Sequence, residues 1–388
     1  MAMRLAINGW FWDQPATGSG QTVRYLIPAL VQQDSSLEIT LVVPEWVTGS
    51  QAIEVLPERV TLLPAPCRAG NLGKLWFEQS TFPRICRQLG ADLAHVPYFA
   101  PPLSPTLPSV VTIHDLIPMV LPQYRGSALV RLYTSLVASA AAHTHLILTD
   151  SEASKRDILA HLNVPGNRVR VVYLAPAPHY RPVGNPGVLE AVRRKYDLPE
   201  TFVLWLAGFD VRKNAQALLH AYTWVYTALG DDYPLVMAGE LPAKDTPFFP
   251  DPRRIAAELG VTDALRLPGW IDEADKPALY SAATVFAFPS RYEGFGLPIL
   301  EAMACGTPVV TSNTTSLPEL AGAAAFQIDP DDSRQLAAAI IALCVQKNLY
   351  DEMREKGLEQ AARFSWEKSA RETLAAYRHV LQSVDSSQ

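Results

Sequence analysis

Cysteine is scarce in this chain. Cys67, Cys86, Cys305 and Cys344 are scattered over 388 residues, with no C-x-x-C pair and no zinc-ligand spacing. A disulfide-stapled scaffold is excluded, and thiols in a reducing compartment are the expectation. Long apolar runs are missing too, since none reaches the ~20 residues that span a bilayer. The start, Met1-Ala2-Met3-Arg4, leads straight into a strand-like segment without a signal-peptide pattern. A cytoplasmic protein is expected, with peripheral contact at the inner membrane face left open. A basic excess is also lacking. Residues 1–180 carry 13 basic and 12 acidic side chains and the remainder 20 and 27, a balance that excludes a nucleic-acid binder. No acidic, histidine or cysteine cluster has metal-ligand spacing, so neither a metal nor another cofactor is expected.

What the chain has is length and apolar content, 48% by residue, enough for two domains with separate cores. Strand-like runs alternate with helical patterns, which implies an α/β chain with parallel sheets. In the first half the strand candidates are 4–8, 39–43, 93–95, 110–112, 146–149 and 169–172. Helical patterns cover 21–33, 75–89, 128–142 and 152–162. The stretch Ala175 to Pro186, rich in proline and glycine, breaks the series and reads as a linker. A second series follows at 202–207, 235–238, 265–267, 284–288, 309–311 and 326–328. Doubly wound sheets bind ligands at the carboxyl ends of their strands, so residues just past strand ends are the candidates for chemistry. The segment Lys74 to Leu89 is amphipathic and could touch an anionic membrane, but a buried helix with a solvated face is the preferred reading.

The most specific stretch is Ser290-Arg291-Tyr292-Glu293-Gly294-Phe295-Gly296-Leu297-Pro298-Ile299-Leu300-Glu301, a strand-to-helix turn flanked by two carboxylates. Pro298 suits the first helical position, and the amides of Phe295 to Leu297 would open an anion-attracting helix start. Two acids beside an anion site are awkward unless they bind hydroxyl groups. Anion plus polyol describes a sugar phosphate or nucleotide sugar. Taken singly, Glu293 is equally well a dipole or capping-box partner and Glu301 a solvated face. A second turn, Gly208-Phe209-Asp210-Val211-Arg212-Lys213-Asn214, follows a buried strand, with Asn214 placed as N-cap. Arg212 and Lys213 at a helix start oppose the dipole, which suggests a diphosphate; a basic surface pair is the alternative.

Three further segments stand at strand ends. Thr17-Gly18-Ser19-Gly20 follows the first strand but does not complete G-x-G-x-x-G, because Val23 occupies the last position. His114-Asp115 follows 110–113, with Asp115 either orienting the imidazole or capping a helix. Arg266-Leu267-Pro268-Gly269-Trp270 ends another strand. Asp329-Pro330-Asp331 resembles a metal motif superficially and is read as N-capping of the helix from Ser333.

The 290–302 stretch resembles the E-x7-E motif of retaining glycosyltransferases of family 4, and wording closest to bacterial mannosyltransferases continues through Gly306-Thr307-Pro308 and Ser316-Leu317-Pro318-Glu319. The 208–214 turn is similar to the family's G-x-x-x-R-K-N segment, with Phe209 where many relatives carry arginine. Thr149-Asp150-Ser151 and Phe364-Ser365-Trp366 add to the likeness, while Tyr173-Leu174-Ala175 departs from the family's P-N-G. The resemblance implies a GT-B architecture of two Rossmann-like domains facing across a cleft. These would be residues 1–178 for the acceptor and 179–366 for the donor, with a C-terminal helix 367–388 completing the first.

As catalytic residues the resemblance implies Glu293, which holds donor-sugar hydroxyls, His114, which faces that sugar, and Arg212 and Lys213 on the diphosphate. It places Glu301 on the ribose, and Gly294, Phe295, Gly296, Leu297, Gly18, Gly20, Gly208, Gly269 and Trp270 around the donor. The expected partners are a nucleotide-sugar donor, GDP-mannose before UDP-glucose, and a saccharide or lipid-linked acceptor. The alternatives are a nucleotide-sugar epimerase, a nicotinamide-dependent oxidoreductase, disfavoured by the incomplete glycine fingerprint, and a catalytically silent binding subunit.

Overall fold

Short runs of β-branched and aromatic residues, each too apolar to face water, pair into two all-parallel sheets in a computed structural model that describes residues 2–15, 17–49 and 56–386. The chain divides into two units, Met1–Leu174 with Ser365–Gln388, and Ala175–Phe364. In the first unit the strands are β1 (Arg4–Asn8), β2 (Glu38–Pro44), β3 (Val60–Ala65), β4 (Leu93–Val96), β5 (Ser109–Thr112), β6 (Leu146–Thr149) and β7 (Val169–Val171). Their spatial order is β3-β2-β1-β4-β5-β6-β7. The order reverses between β1 and β4, the kind of switch point at whose strand carboxyl ends open α/β sheets bind ligands. Strands β4, β5 and β6 are buried along their whole length.

The second unit repeats the plan with β8 (Val203–Leu206), β9 (Leu235–Ala238), β10 (Leu265–Gly269), β11 (Val285–Phe288), β12 (Val309–Ser312) and β13 (Ala325–Ile328). Their order, β10-β9-β8-β11-β12-β13, places the switch point between β8 and β11. Its core includes Trp205, Phe209, Leu218, Tyr222, Met237 and Ile340.

Two elements depart from the sequence reading. Strand β3 has no counterpart there, because Pro64 interrupts its apolar pattern; as the edge strand it tolerates a residue without an N–H. The amphipathic stretch from Lys74 is not one regular helix. It runs as a helix Asn71–Trp76, a π turn Phe77–Thr81 and a helix Phe82–Gln88. Pro83 cannot donate into the ladder, and the Phe82 N–H reaches back five residues to Phe77 O.

The helix Trp366–Asp385 packs on the first unit against the helix Gly18–Gln33, with Trp366 stacked on Tyr25 at 5.5 Å. Its Tyr377 hydroxyl lies 2.7 Å from His95 Nδ1, while His95 Nε2 lies 2.8 Å from Thr112 Oγ1. Burial, with His114 nearby, drives the His95 imidazole down to about 3, so the ring is neutral and spends one donor and one acceptor on these neighbours. Tyr377→Phe leaves a ring nitrogen buried without its partner. Urea denaturation should show a loss of about 1–3 kcal/mol; an unchanged midpoint would show that the bond carries no stability.

Candidate active site

The loops after β8 and β11, neighbouring strands at the switch point, are stitched together by backbone before any side chain acts. Arg212 O accepts from Arg291 N at 2.8 Å and from Ser290 Oγ at 3.1 Å. Asn214 lies at the start of the helix Ala215–Leu229 but is not its side-chain cap. It takes a left-handed conformation (φ 58°), and its amide nitrogen donates to Pro289 O at 3.0 Å and Pro330 O at 2.7 Å. Asparagine tolerates that conformation, and its reach ties the loops after β8, β11 and β13.

On this frame Glu293 meets both cations. Its Oε2 accepts from Arg212 Nη1 at 2.7 Å, and its Oε1 accepts from Lys213 Nζ at 2.7 Å and Ser290 Oγ at 2.6 Å. Arg212 Nη1 also donates to Tyr292 O at 2.8 Å, and its Nε lies 3.5 Å from Asp210. Glu293 is only 8% exposed. Burial alone would push its carboxyl up, but Lys213 and Arg212 outweigh that and hold it below the usual range. The cluster thus carries two cations balanced by two carboxylates. The other side of the turn is held by Thr315, left-handed at φ 55°, whose Oγ1 accepts from Glu293 N at 3.1 Å. Ser316 Oγ lies 2.5 Å from Phe295 O and 3.0 Å from Glu293 O.

Gly294 and buried Phe295 lead to Gly296, the N-cap position of the helix Leu297–Ala304, with no side-chain cap. Gly296 has φ 112°, and a Cβ there would stand 2.7 Å from Leu317 Cδ2, so any other residue would be strained in its backbone and would have to displace that side chain. Pro298 is the second helical residue rather than the first, after Leu297.

Glu301 is not on a solvated face; it is 6% exposed, and its Oε2 accepts from Tyr280 OH at 3.0 Å. Burial raises its carboxyl to about 7, against the pull of Lys276. Tyr180 and Lys276 also bind Glu273, at 2.8 and 2.5 Å. Gly208 lies near the start of the loop after β8 and has open space where a Cβ would stand, apart from Asp210 at 3.7 Å. Gly269, left-handed at the end of β10, accepts from Gly239 N at 2.8 Å, and the next residue, Trp270, is 57% exposed.

In the first unit, Gly18 opens the helix Gly18–Gln33, capped by Thr17 Oγ1 accepting from Gly20 N at 3.1 Å. A Cβ on Gly20 would fall 2.1 Å from Gln14 O, so local packing by itself accounts for that glycine. His114, past the end of β5, has Nδ1 2.6 Å from Asp150 Oδ2 and Nε2 3.2 Å from Pro97 O. Both ring nitrogens face acceptors, which favours the imidazolium. Burial lowers its pKa, but the Asp150 charge and hydrogen bond outweigh that and raise it overall. Asp115 is not the orienting acid: its Oδ1 accepts from Ile117 N at 2.9 Å as a cap. Asp150 is the residue that sequence reasoning missed in this role. Likewise the helix Ser333–Val345 is capped by Asp332, not by Asp329 or Asp331; Asp331 pairs with Arg291 at 2.8 Å.

Residues 16–175 match the family description Glycosyltransferase Family 4, and residues 190–360 match Glycosyl transferases group 1. Over 272 residues the chain is 35% identical to the O-antigen chain mannosyltransferase B of Escherichia coli, covering 70% of each. The chain belongs to glycosyltransferase family 4. This glycosyltransferase is also 30% identical over 278 residues to the serotype-specific mannosyltransferase WbdA of E. coli, of which it spans 34%, with 71% of its own length aligned. Its fold is that of Anabaena Alr3699/HepE, solved with UDP and glucose (TM-score 0.74, 18% identity, 97% of this chain and 99% of that one). The two Rossmann-like units are therefore the GT-B architecture. Among the described residues no helix is long and apolar enough to cross a membrane.

The raised carboxyl of Glu301 has a measurable consequence. Between about pH 4.5 and 7 the folded state keeps a proton that the unfolded chain has lost, so this group's contribution to stability falls as pH rises through that window. Glu301→Gln cannot ionise, and its stability relative to the native protein should rise by on the order of 2 kcal/mol from pH 5 to pH 8. A difference that stays flat with pH in denaturant melts would contradict the buried, proton-holding carboxyl.

Proposed function

We propose that this glycosyltransferase moves a hexosyl group, mannose first and glucose next, from a nucleoside-diphosphate sugar to a saccharide or lipid-linked saccharide. The reaction belongs to surface polysaccharide synthesis at the cytoplasmic face of the membrane, and the anomeric configuration is retained. The observation that carries this reading is the buried Glu293 carboxylate bridged by Arg212 and Lys213 at the switch point. Two cations past the ends of adjacent strands suit a diphosphate, and a carboxylate between them suits sugar hydroxyls and a developing positive carbon.

In this scheme the donor diphosphate takes over Arg212 and Lys213, and Glu293 turns its freed oxygens to hydroxyls of the transferred sugar. The bond from the anomeric carbon to the phosphate oxygen breaks, its electron pair leaving with the diphosphate. The acceptor oxygen bonds the same face of that carbon, and its proton passes to the departing phosphate oxygen. No protein nucleophile is needed. Glu301 accepts from the ribose diol, which requires the carboxylate form. The amides at Phe295 to Leu297, the turns at Gly208 and Gly18, and the backbone at Gly269 and Trp270 are donor contacts in the same proposal. In the same proposal His114 faces the transferred sugar: Asp150 keeps Nδ1, and the Nε2–H exchanges Pro97 O for a sugar hydroxyl. Mannose takes precedence because the E. coli relatives carry that sugar in their names.

A thermal-shift panel of nucleotide sugars tests the donor directly. GDP-mannose should raise the melting temperature more than UDP-glucose, through mass action on the folded state. Glu301→Ala should abolish the shift; a shift that survives that substitution removes Glu301 from the donor site. Lys213→Met should lower kcat by about 10²–10³-fold, the usual loss when one leaving-group stabiliser is removed. Proton NMR of the product should show the donor's anomeric configuration, and inversion would overturn the same-face mechanism.

A further inference from the structure

The first unit holds a cavity of about 740 Å³ past the carboxyl ends of β2 and β3, which the donor-binding residues do not use. Glu45, directly after β2, lines it with Cys67 and Arg68 beyond β3 and with Leu72, Gly73 and Trp76 of the helix Asn71–Trp76. The Trp76 side chain is 65% exposed, a large apolar face left open to water.

That indole stands on a fixed support. A Cβ on Gly73 would fall 1.6 Å from Arg68 O, so the helix backbone presses directly on the Arg68 loop and sets its distance from Trp76. In the same turn Lys74 reaches the buried Glu78 at 3.4 Å, and Glu78 accepts from Tyr133 OH at 2.8 Å. The Lys74 ammonium also stands 5.0 Å from the ring centroids of both Phe11 and Tyr98. The π turn that begins at Phe77 buries Phe77 and Glu78 while Trp76 stays outside.

We propose that this cavity is a saccharide subsite for the acceptor, with a hexose stacked on the Trp76 indole and its hydroxyls bound by Glu45 and Arg68. The inference rests on the transferase reading for its acceptor role. The chemistry points to a neutral sugar. The lining contributes one carboxylate, Glu45, and one guanidinium, Arg68, so the cavity carries no net charge to select an anion, and burial with the nearby Glu45 pushes the Cys67 thiol up and keeps it neutral. An electron-rich indole face attracts the C–H face of a pyranose, while opposed donors and acceptors fit adjacent hydroxyls. The cavity lies on the β2–β3 side of the sheet, away from the β1–β4 switch point.

Saturation-transfer NMR on the full chain with α-mannotriose, maltotriose and chitotriose provides the test. At least one trisaccharide should take saturation from the native protein; Trp76→Ala should abolish it and Trp76→Phe retain part of it. With the trisaccharide that binds as acceptor, Trp76→Ala and Arg68→Ala should each raise its KM about tenfold while the donor KM stays within about twofold. No contact with any of the three, or a contact indifferent to Trp76→Ala, overturns the subsite. A nucleotide-sugar thermal shift run alongside separates the two readings. A shift without trisaccharide contact sinks the subsite alone, whereas trisaccharide contact at Trp76 with no shift keeps the sugar site and sinks the donor assignment.

Discussion

A carboxyl group taken almost wholly out of water must either keep its proton, as Glu301 does, or be matched by positive charge, and the second unit meets the latter demand at Glu293. Leaving such a group unpaired costs several kcal/mol, more than most single contacts return. Arg212 and Lys213 supply the match from the loop after β8, across a strand boundary that the sheet order creates. Keeping three charged side chains in register demands rigid loops. Asn214 and Thr315 both adopt left-handed backbone conformations there, at a local cost on the order of 1 kcal/mol or more each. Ser290 and Ser316 fill the remaining acceptors and donors of the turn. The strain falls at the ligand end of the sheet rather than in the core.

The same arrangement fits the proposed binding of a diphosphate. Two exposed cations at a helix start would repel each other and oppose its dipole. With Glu293 on both of them and Asp210 near Arg212, the set is neutral. In the proposed scheme a diphosphate competes with Glu293 for the two cations, and the group it displaces is the one proposed to hold the transferred sugar. In this account the ion pairs of the free protein couple leaving-group binding to the release of Glu293.

Much of this was legible in the sequence, and the losses have physical causes. The strands were readable because buried parallel strands are short, uninterrupted apolar runs, and β1, β6 and β9 fall where those runs stand. Strand β3 escaped because Pro64 lies in it, and the π turn because a proline's effect on the preceding turn leaves no periodic trace. The turns bearing Arg212, Lys213, Glu293 and Glu301 stood out by spacing, but their pairing did not. Glu293 and Lys213 are 80 residues apart, and only the adjacency of β8 and β11 joins them. Asp150 was hidden in the same way: it serves His114, 36 residues earlier, because β5 and β6 are neighbours. Local caps misled where Asn214 and Asp331 serve tertiary bonds instead.

The central claim is that Glu293 competes with the donor diphosphate for Arg212 and Lys213. Calorimetric titration of free GDP and UDP into the native protein and into Glu293→Gln tests it most directly. The account predicts that the substitution, by freeing one net positive charge, tightens nucleoside-diphosphate binding while it abolishes sugar transfer. An affinity that is unchanged or weaker in Glu293→Gln would contradict it.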